Sequence, residues 1–498
     1  MRTRSALLAI LLVLAICAFA RPAVADACDN IKQFLGNKAT NVTCFVSTDL
    51  TTNNPLTTPP DNSITGLPAF AFTPRTDRNV LIPEAALFTP PTKVVPGIQV
   101  SGYFTDDPTG EARFLLRFPN DWNGKLVVAG TPSQRSEFAS DYAWSDYVVQ
   151  KGYAYASQNK GVLAFYVTTS TDPLGCRLNP DPVFNGVFVH FYDDEATKPF
   201  TQWTHYMIKA TVLAQEAVKS FYHHEAHRTY AVGTSNGGYQ VRRALEKAPH
   251  LYDGGIDWEG TFVDPRGPNI MIDLPPVIAN FPAYRSSGYD PNSSAAAAIT
   301  ASGYPPDIYK GGVSLWGLYW TNYWELTMCQ WQKRFDPTYD TYNAGLGNYD
   351  YFSRLHVPGV FHGVHAVETS GDIGKPLITV AGTMDSLLPI KRGARAYEAN
   401  VLEARESGHD WDDDRDGHHH HPAYRLYEVQ NGNHIENYHQ FFPNDLQLVG
   451  PRAQQAFDLL VDYVEHDAKL PPSQCIPKGG TISSTPAQAG HCASLYVP

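Results

Sequence analysis

The sequence has little positive charge for its length. Its 498 residues include 38 Lys and Arg against 50 Asp and Glu, which gives a formal net charge of −12 at pH 7. Nucleic-acid binding depends on clusters of Lys and Arg that neutralise phosphates, and no such cluster occurs, so we expect no nucleic-acid partner. With 43% hydrophobic and 12% aromatic residues, the chain is also too apolar to remain disordered.

The sequence also lacks an apolar run of the about 20 residues that a membrane-spanning helix needs. The longest run, Ala6–Ala20, follows two arginines and precedes the small-x-small site Ala25-Asp26-Ala27. These features are typical of a signal peptide, which we predict over residues 1–27. Cleavage there leaves Cys28 first, so a lipoprotein is an alternative that the preceding residues fit poorly. We therefore expect a secreted or periplasmic protein without a membrane span.

No two cysteines have the CxxC spacing of zinc or redox sites. One of the seven cysteines lies in the predicted signal peptide, and an even remainder in an oxidising compartment predicts disulfides. Several pairings are possible. Because closing a long loop costs more entropy than closing a short one, we expect the near pairs and the one bridge that they leave: Cys28 with Cys44, Cys475 with Cys492, and Cys176 with Cys329.

The pattern of apolar residues divides the chain into segments. Residues 28–110 lack helical periodicity and are rich in Thr, Asn and Pro, which predicts an irregular or β-rich N-terminal segment. Over residues 111–261 and again over 366–498, predicted strands alternate with predicted helices. That alternation is typical of a mostly parallel sheet covered by helices on both faces. Residues 262–365 interrupt it with prolines and aromatic residues, and we predict that they form a lid inserted into one α/β domain.

A G-x-S-x-G motif, Gly233-Thr234-Ser235-Asn236-Gly237, lies between a predicted strand and a predicted helix. This context is what a nucleophile elbow requires, since the glycines permit a sharp turn from which the serine hydroxyl projects. We therefore predict Ser235 as a nucleophile. The Asn236 N–H, at the helix N-terminus, is a predicted oxyanion donor. The alternative is a glycine-rich turn in which the serine is incidental.

A serine nucleophile needs a base, and the base needs an acid that orients it. Asp385 and His434 each lie in the loop that follows a predicted strand, in the chain order Ser, acid, His. We predict them as acid and base. Asp257 and Glu259 are competing acids, and Asp385 has an alternative role as a turn or helix-capping residue.

The loop after an early strand is expected to supply the second oxyanion donor. That strand ends in Gly130-Thr131-Pro132. Because proline has no N–H, either Gly130 or Thr131 is the predicted donor.

Several short motifs resemble the tannase and feruloyl esterase family. They are Asp121–Lys125, Gly152–Ala154, Gly237–Gln240 and Tyr252–Gly255. The resemblance implies an α/β-hydrolase fold, and by matching position it implies an acylated serine at 235, an orienting acid at 385 and a base at 434. It also implies an ester of an aromatic acid as the substrate. In that family cysteines flank the serine and the histidine, whereas Thr234 and Ile435 stand at those positions here.

The predicted lid contains a stripe of aromatic residues. Trp316, Trp320 and Trp324 are spaced as one face of a helix, with Tyr319 and Tyr323 beside them. One interpretation is a lid helix packed onto the core. The other is a pocket wall that stacks a flat acyl group, with Trp316, Tyr319, Trp320 and Tyr323 as substrate-binding residues.

An acidic stretch precedes four consecutive histidines. Asp412, Asp414, Asp416 and Gly417 follow the D-x-D-x-D-G start of a calcium loop, but Ala423 occupies the position of the bidentate Glu of an EF-hand. The sequence therefore excludes an EF-hand and leaves two interpretations, a different calcium loop or a solvated acidic turn.

Together these patterns predict a secreted serine hydrolase that cleaves small-molecule or polymeric carboxylic esters. We expect that catalysis requires no cofactor. If the acidic stretch forms a calcium loop, calcium is expected there as a structural ion. Two alternatives stay open: an amidase or peptidase with the same residues, and a hydrolase-like binding protein without activity.

Overall fold

A computed structural model describes residues 24–78, 90–178, 186–195, 197–340, 344–407 and 421–498. The predicted signal peptide lies almost wholly outside these residues, and so do Asp412, Asp414 and Asp416. None of the helices in the described residues is long and apolar enough to cross a membrane.

The strands coincide closely with the apolar runs of the sequence, because β-branched and aromatic residues favour a pleated, buried backbone. They are β1 (Ala39–Ser47), β2 (Gly97–Phe104), β3 (Arg113–Pro119), β4 (Lys125–Gly130), β5 (Ala154–Gln158), β6 (Tyr166–Thr168), β7 (Phe188–His190), β8 (Arg228–Thr234), β9 (Gly254–Trp258), β10 (Tyr309–Lys310), β11 (Val313–Ser314), β12 (Leu377–Gly382), β13 (Tyr424–Val429) and β14 (Gln474–Ile476).

A ten-stranded sheet has the order β1-β2-β3-β5-β4-β8-β9-β12-β13-β14. Neighbours from β5 to β14 in this order run parallel, whereas β1, β2 and β3 join through antiparallel pairs. The expected mostly parallel sheet is therefore confirmed. Since β8, β12 and β13 are parallel, their carboxyl ends meet at one edge, where loops can assemble a site.

The α-helices are α1 (Val24–Leu35), α2 (Pro74–Asp77), α3 (Asp146–Val149), α4 (Thr201–Tyr222), α5 (Asn236–Lys247), α6 (Ile270–Ser286), α7 (Ser294–Ala301), α8 (Leu315–Tyr319), α9 (Glu325–Phe335), α10 (Tyr351–Arg354), α11 (Val360–Ala366), α12 (Ala394–Glu406) and α13 (Gly450–His466). Asp141–Ser145 and Trp320–Trp324 are π-helical turns, and Pro249–Leu251, Leu346–Asn348 and Glu436–Gln440 are 3₁₀ turns.

Helices cover both faces of the large sheet. On β4, Leu126 and Val128 belong to one hydrophobic cluster and the alternate residues Val127 and Ala129 to another. Side chains alternate across a strand, so each face has its own core. One core includes residues of α4, α5 and α12, and the other includes residues of α13 and of the segment 262–365.

The three expected disulfides are all present. Cys28 bonds to Cys44, Cys475 to Cys492, and Cys176 to Cys329. The last bridge spans 153 residues and ties the loop that precedes β7 to α9. It therefore fastens the helical segment 262–365 to the part of the chain that precedes the serine motif.

Candidate active site

Ser235 lies in the tight turn between β8 and α5, where its backbone has φ 57° and ψ −123°. A non-glycine residue in this region is strained, and such strain persists only where the surroundings hold it. A Cβ atom on Gly233 would lie 2.2 Å from the Gly237 carbonyl oxygen, and one on Gly237 would lie 2.5 Å from the Gly130 carbonyl carbon. Both glycines of the motif are therefore sterically required.

Three predicted residues come together at the carboxyl edge of the sheet. His434 Nε2 lies 2.9 Å from Ser235 Oγ, and His434 Nδ1 lies 2.8 Å from Asp385 Oδ2. All three side chains are buried, with exposed fractions of 7% for Ser235 and 1% for the other two. The distances form one continuous series of hydrogen bonds from carboxylate to imidazole to hydroxyl.

The two alternatives for Asp385 are compatible. Its Oδ1 accepts the N–H groups of Leu387 and Leu388, both at 2.7 Å, while Oδ2 faces His434. The same carboxylate thus caps a turn and orients an imidazole.

The charge around His434 decides its pKa. Burial lowers that pKa, but the Asp385 carboxylate, its hydrogen bond and the Glu259 carboxylate together outweigh burial and raise the pKa above 6.5. An imidazole that accepts a proton from Ser235 is therefore stabilised as imidazolium.

Of the two competing acids, Asp257 is committed elsewhere. Its Oδ2 accepts a bond from Arg242 Nε at 2.6 Å and another from the Thr379 hydroxyl at 2.9 Å, and its Oδ1 accepts the Gly260 N–H. The buried ion pair of Arg242 and Asp257 joins α5 to β9.

Glu259 is a different case. Its Oε2 lies 3.6 Å from His434 Nδ1 and has no hydrogen-bond partner, while its Oε1 accepts the Gly382 N–H at 2.7 Å. Burial, with the nearby charge of Asp385, raises the pKa of Glu259 to about 8. The site therefore holds a second carboxyl group beside the imidazole, which the sequence identified only as a rival of Asp385.

Within the described residues, one group of potential metal ligands was found, and it is this same cluster: Glu259, Asp385 and His434, with ligand atoms within 4.8 Å of one another. The hydrogen bonds of His434 to Asp385 and Ser235 use both ring nitrogens. Both ring nitrogens of His434 are therefore committed to hydrogen bonds in this structure.

The predicted oxyanion donors differ in their surroundings. Asn236 is the first residue of α5, where backbone N–H groups lack helical acceptors. The Thr131 N–H donates to Gln240 Oε1 at 2.9 Å, so it is occupied in this structure. Gly130 packs directly against Gly237. The second donor stays a prediction.

A small cavity of about 40 Å³, here called the catalytic cavity, borders Ser235 and His434. Gln134, three residues beyond Thr131, also lines it, and both polar atoms of this buried amide lack hydrogen-bond partners. Gln134 was not among the residues predicted from the sequence, although it lies after the same strand as Thr131. The other lining residues are Ser133, Phe191, Trp203, Asn236, Thr261, Ile270, Tyr323, Thr327, Gln330, Trp331, Leu387, Leu388 and Ile435.

The residues of the aromatic stripe lie in different surroundings. Trp316 and Trp320 pack in the core against Tyr284 and Phe281, with ring centroids 5.0 Å apart in each pair. Neither borders the catalytic cavity, whereas Tyr323 does. A substrate contact stays a prediction for all four residues, Trp316, Tyr319, Trp320 and Tyr323.

Tyr319 braces the loop that holds His434. Its hydroxyl donates to Asn433 Oδ1 at 2.9 Å and accepts the Ile435 N–H at 3.3 Å. This pair of bonds lies on both sides of His434 along the chain. A helix of the segment 262–365 thus holds a catalytic loop in place where a disulfide is absent.

Comparisons with known proteins agree with this geometry. Feruloyl esterase B from Aspergillus oryzae superposes with a TM-score of 0.52 at 12% sequence identity, over 89% of this chain and 91% of that one. The chain has the α/β-hydrolase fold. Tannin acyl hydrolase from Aspergillus niger matches 89% of this chain and 88% of that one at 11% identity, with a TM-score of 0.46. The expected resemblance is confirmed as a remote likeness of fold, which the superposition on feruloyl esterase B carries.

The C-terminal part of the chain has a second likeness. Residues 351–496 match the family model of 3HB-oligomer hydrolases. D-(-)-3-hydroxybutyrate oligomer hydrolase from Burkholderia lata is 33% identical over 132 residues, which are 25% of this chain and 17% of that protein. The enzyme of the same name from Burkholderia thailandensis is 31% identical over 137 residues, 26% of this chain and 18% of that protein. Each match spans less than a fifth of the relative's length. The range that the family model matches, residues 351–496, includes Asp385 and His434.

Proposed function

We propose that this chain is a serine hydrolase that cleaves carboxylic esters through an acyl-enzyme. The observation that supports it most is the continuous series of hydrogen bonds from Asp385 through His434 to Ser235. The strained backbone at Ser235 supports it further, because strain of this kind is retained where function requires a side chain to project from a turn.

In the proposed reaction, Ser235 Oγ attacks the ester carbonyl while its proton passes to His434 Nε2. Asp385 keeps the imidazole in the required tautomer and stabilises the imidazolium. The negative charge on the carbonyl oxygen is stabilised by the Asn236 N–H together with a donor from the loop after β4. His434 then returns the proton to the leaving alcohol. In the second half of the reaction His434 takes a proton from water, which attacks the acyl-enzyme, and returns that proton to Ser235 Oγ as the acid is released.

The size of the catalytic cavity favours a short acyl group. A volume of about 40 Å³ is only a few times the roughly 10–15 Å³ that a cavity needs to hold one water. The likeness of residues 351–496 to 3HB-oligomer hydrolases also favours esters of short hydroxy acids. The fold likeness to feruloyl esterase B favours aromatic acids as a second substrate class, with small-molecule and polymeric esters in both cases.

Kinetics on matched substrates test this proposal. We expect the purified protein to hydrolyse 4-nitrophenyl acetate and butyrate with an initial burst of 4-nitrophenol, and to cleave the corresponding anilides far more slowly. Ser235→Ala should abolish turnover, whereas Ser286→Ala, an exposed change on α6, should leave it intact. Turnover that survives Ser235→Ala would refute the proposal, and faster cleavage of anilides than of esters would favour an amidase.

We also propose that the protein is exported. Its three disulfides are bonds that persist in oxidising compartments. Calcium binding by Asp412, Asp414 and Asp416 stays a separate proposal, for which a thermal melt with calcium or chelator is the measurement: an unchanged melting temperature would exclude a structural ion there.

A further inference from the structure

One amide side chain in the wall of the catalytic cavity has no partner within the protein. Gln134 is fully buried and lines the cavity together with Ser235 and His434. Among the described residues, neither its Nε2 nor its Oε1 has a hydrogen-bond partner. Burying an amide without hydrogen bonds is unfavourable, so native proteins contain few such groups, and a role in catalysis is one reason to retain one.

The other amide side chains in this wall are used within the protein. Gln330 Nε2 donates to the carbonyl oxygen of Phe191 at 2.8 Å. Asn236 Oδ1 accepts the hydroxyl of Thr261, also at 2.8 Å. The Gln134 amide is therefore the one in this wall that is left to bind a group entering the cavity.

The backbone that carries Gln134 is held on both sides. The Thr131 N–H donates to Gln240 Oε1 at 2.9 Å, and the Thr131 carbonyl oxygen accepts a bond from the buried Lys160 Nζ at 2.6 Å. The carbonyl oxygen of Gln134 itself accepts the Phe165 N–H at 2.8 Å. A donor on a fixed backbone is preorganised, which is the condition for stabilising charge that develops in a transition state.

The second oxyanion donor in this fold comes from the loop after an early strand. Gln134 lies in that loop, after β4, whereas the Thr131 N–H in the same loop is occupied by Gln240. The Gln134 amide nitrogen carries two hydrogens that it can donate. Trp203 Nε1 also has no partner among the described residues and lines the cavity, but it belongs to α4 and offers one donor.

We propose that the side-chain amide of Gln134 is the second oxyanion donor of this active site. This inference rests on the proposed ester hydrolysis and identifies a catalytic residue for it. Because neither end of the amide has a partner, no hydrogen bond has to break for Nε2 to face the reacting carbonyl.

The donor acts as the first tetrahedral intermediate forms and breaks down. When Ser235 Oγ bonds to the carbonyl carbon, the electron pair of the C=O π bond moves to the carbonyl oxygen. Gln134 Nε2–H and the Asn236 N–H both donate to that oxygen. As the intermediate collapses, this pair forms the C=O bond again, the bond to the alcohol oxygen breaks, and His434 gives its proton to the leaving oxygen. The amide keeps both of its hydrogens throughout.

Kinetics of Gln134→Leu on 4-nitrophenyl acetate test the role. The change removes the donor at nearly the same side-chain size, so kcat should fall about 10²- to 10³-fold, the usual cost of losing one oxyanion donor. KM should change less than about threefold, since the bond strengthens only as charge develops on the oxygen. Gln33→Leu, the same replacement at an exposed position on α1, should leave both constants unchanged.

Two kinetic results would overturn the proposal. One is a kcat for folded Gln134→Leu within about threefold of wild type, far from the loss that one donor predicts. The other is a loss of that size in Trp203→Phe and not in Gln134→Leu, which would assign the donor to the indole N–H.

A boronic acid gives a readout that needs no variant to fold. Butane-1-boronic acid forms a tetrahedral adduct with a serine hydroxyl and so resembles the intermediate. In a crystal structure of the wild-type adduct, Gln134 Nε2 should lie about 2.7–3.1 Å from a boron-bound oxygen. An adduct with no boron-bound oxygen within hydrogen-bond reach of Nε2 would overturn the proposal.

Binding constants separate a donor from a residue that only packs. Gln134→Leu should weaken binding of the boronic acid about thirtyfold or more, but binding of butanamide, which resembles the ground state, less than about threefold. Equal weakening of both would overturn the proposal. Failure of the proposed function is distinguishable, because wild type would then show neither Ser235-dependent hydrolysis nor a boronate adduct.

Discussion

Replacing Asp385 by Asn is the perturbation for which the structure makes the most specific prediction. The amide has nearly the same shape as the carboxylate and can keep the turn bonds from Leu387 and Leu388. It removes the charge that orients His434, and in a serine–histidine–aspartate site this change costs about 10⁴ in kcat, because the imidazole adopts the wrong tautomer.

The second carboxyl group should reduce that loss. Glu259 Oε2 is 3.6 Å from His434 Nδ1 and has no other hydrogen-bond partner. Removing the charge of Asp385, which raises the pKa of Glu259, makes Glu259 easier to ionise. An unscreened pair at this distance interacts by about 4 kcal/mol at an effective dielectric constant of about 20, and a hydrogen bond to a charged group contributes about 2 kcal/mol net.

The smaller of these energies, about 2 kcal/mol, corresponds to about thirtyfold in rate, so Glu259 should restore about thirtyfold of the lost kcat. We therefore expect Asp385→Asn to lose about 10² to 10³ in kcat on 4-nitrophenyl acetate, and the double variant Asp385→Asn, Glu259→Gln to lose about 10⁴. Glu259→Gln alone should lose less than about fivefold, because Asp385 remains. A full 10⁴ loss in Asp385→Asn, with no further loss in the double variant, would refute the backup role. Full activity in Asp385→Asn would show that Glu259 is the acid.

Three further predictions concern the same site. Carboxylates raise the pKa of His434 above 6.5, and catalysis needs the neutral imidazole. The value of kcat/KM should therefore rise with pH, with a midpoint above 6.5. A midpoint below 6 would contradict the charges assigned to the carboxylates beside His434. Burial raises the pKa of Glu259 to about 8, so the folded state binds more protons than the unfolded state between about pH 4.5 and 8, and stability falls as the pH rises through that window. Glu259→Gln should therefore raise the melting temperature more at pH 9 than at pH 5. An equal effect at both pH values would contradict the raised pKa of Glu259. Gly237→Ala would place its Cβ 2.5 Å from the Gly130 carbonyl carbon, so it should destabilise the fold by about 2 kcal/mol or more and abolish turnover. Gly186→Ala, with open space around it, should do neither. A stable, active Gly237→Ala enzyme would contradict the packing described here.

The positions of Ser235, Asp385 and His434 could be predicted because each depends on local signals. Each residue lies at or shortly after the carboxyl end of an apolar strand, and parallel strands bring these ends to one edge whatever the details of packing. The glycines around Ser235 added a second local signal, since the turn is sterically closed to larger residues.

The aromatic stripe could not be oriented from its spacing. A period of 3.6 residues places Trp316, Trp320 and Trp324 on one face, but Trp320–Trp324 forms a π-helical turn, which has more residues per turn than an α-helix. The faces therefore rotate, and Tyr323 reaches the cavity while Trp316 and Trp320 pack inside. Nothing in the apolar pattern signals such a turn.

The position of Glu259 beside His434 depends on tertiary structure. Glu259 follows β9 in a left-handed conformation, with φ 52°, and that backbone turn decides which way its carboxyl group points. The sequence therefore identified Glu259 only as a rival of Asp385 and could not show that both carboxyl groups lie beside His434.

The central claim is that Ser235 is a nucleophile activated by His434. Reaction of the purified protein with a fluorophosphonate, followed by intact-mass and peptide analysis, tests it most directly. We predict one adduct per chain, located on Ser235, with labelling slowed by His434→Ala and absent in Ser235→Ala. An unlabelled wild type, or an adduct that forms equally in Ser235→Ala, would contradict the claim.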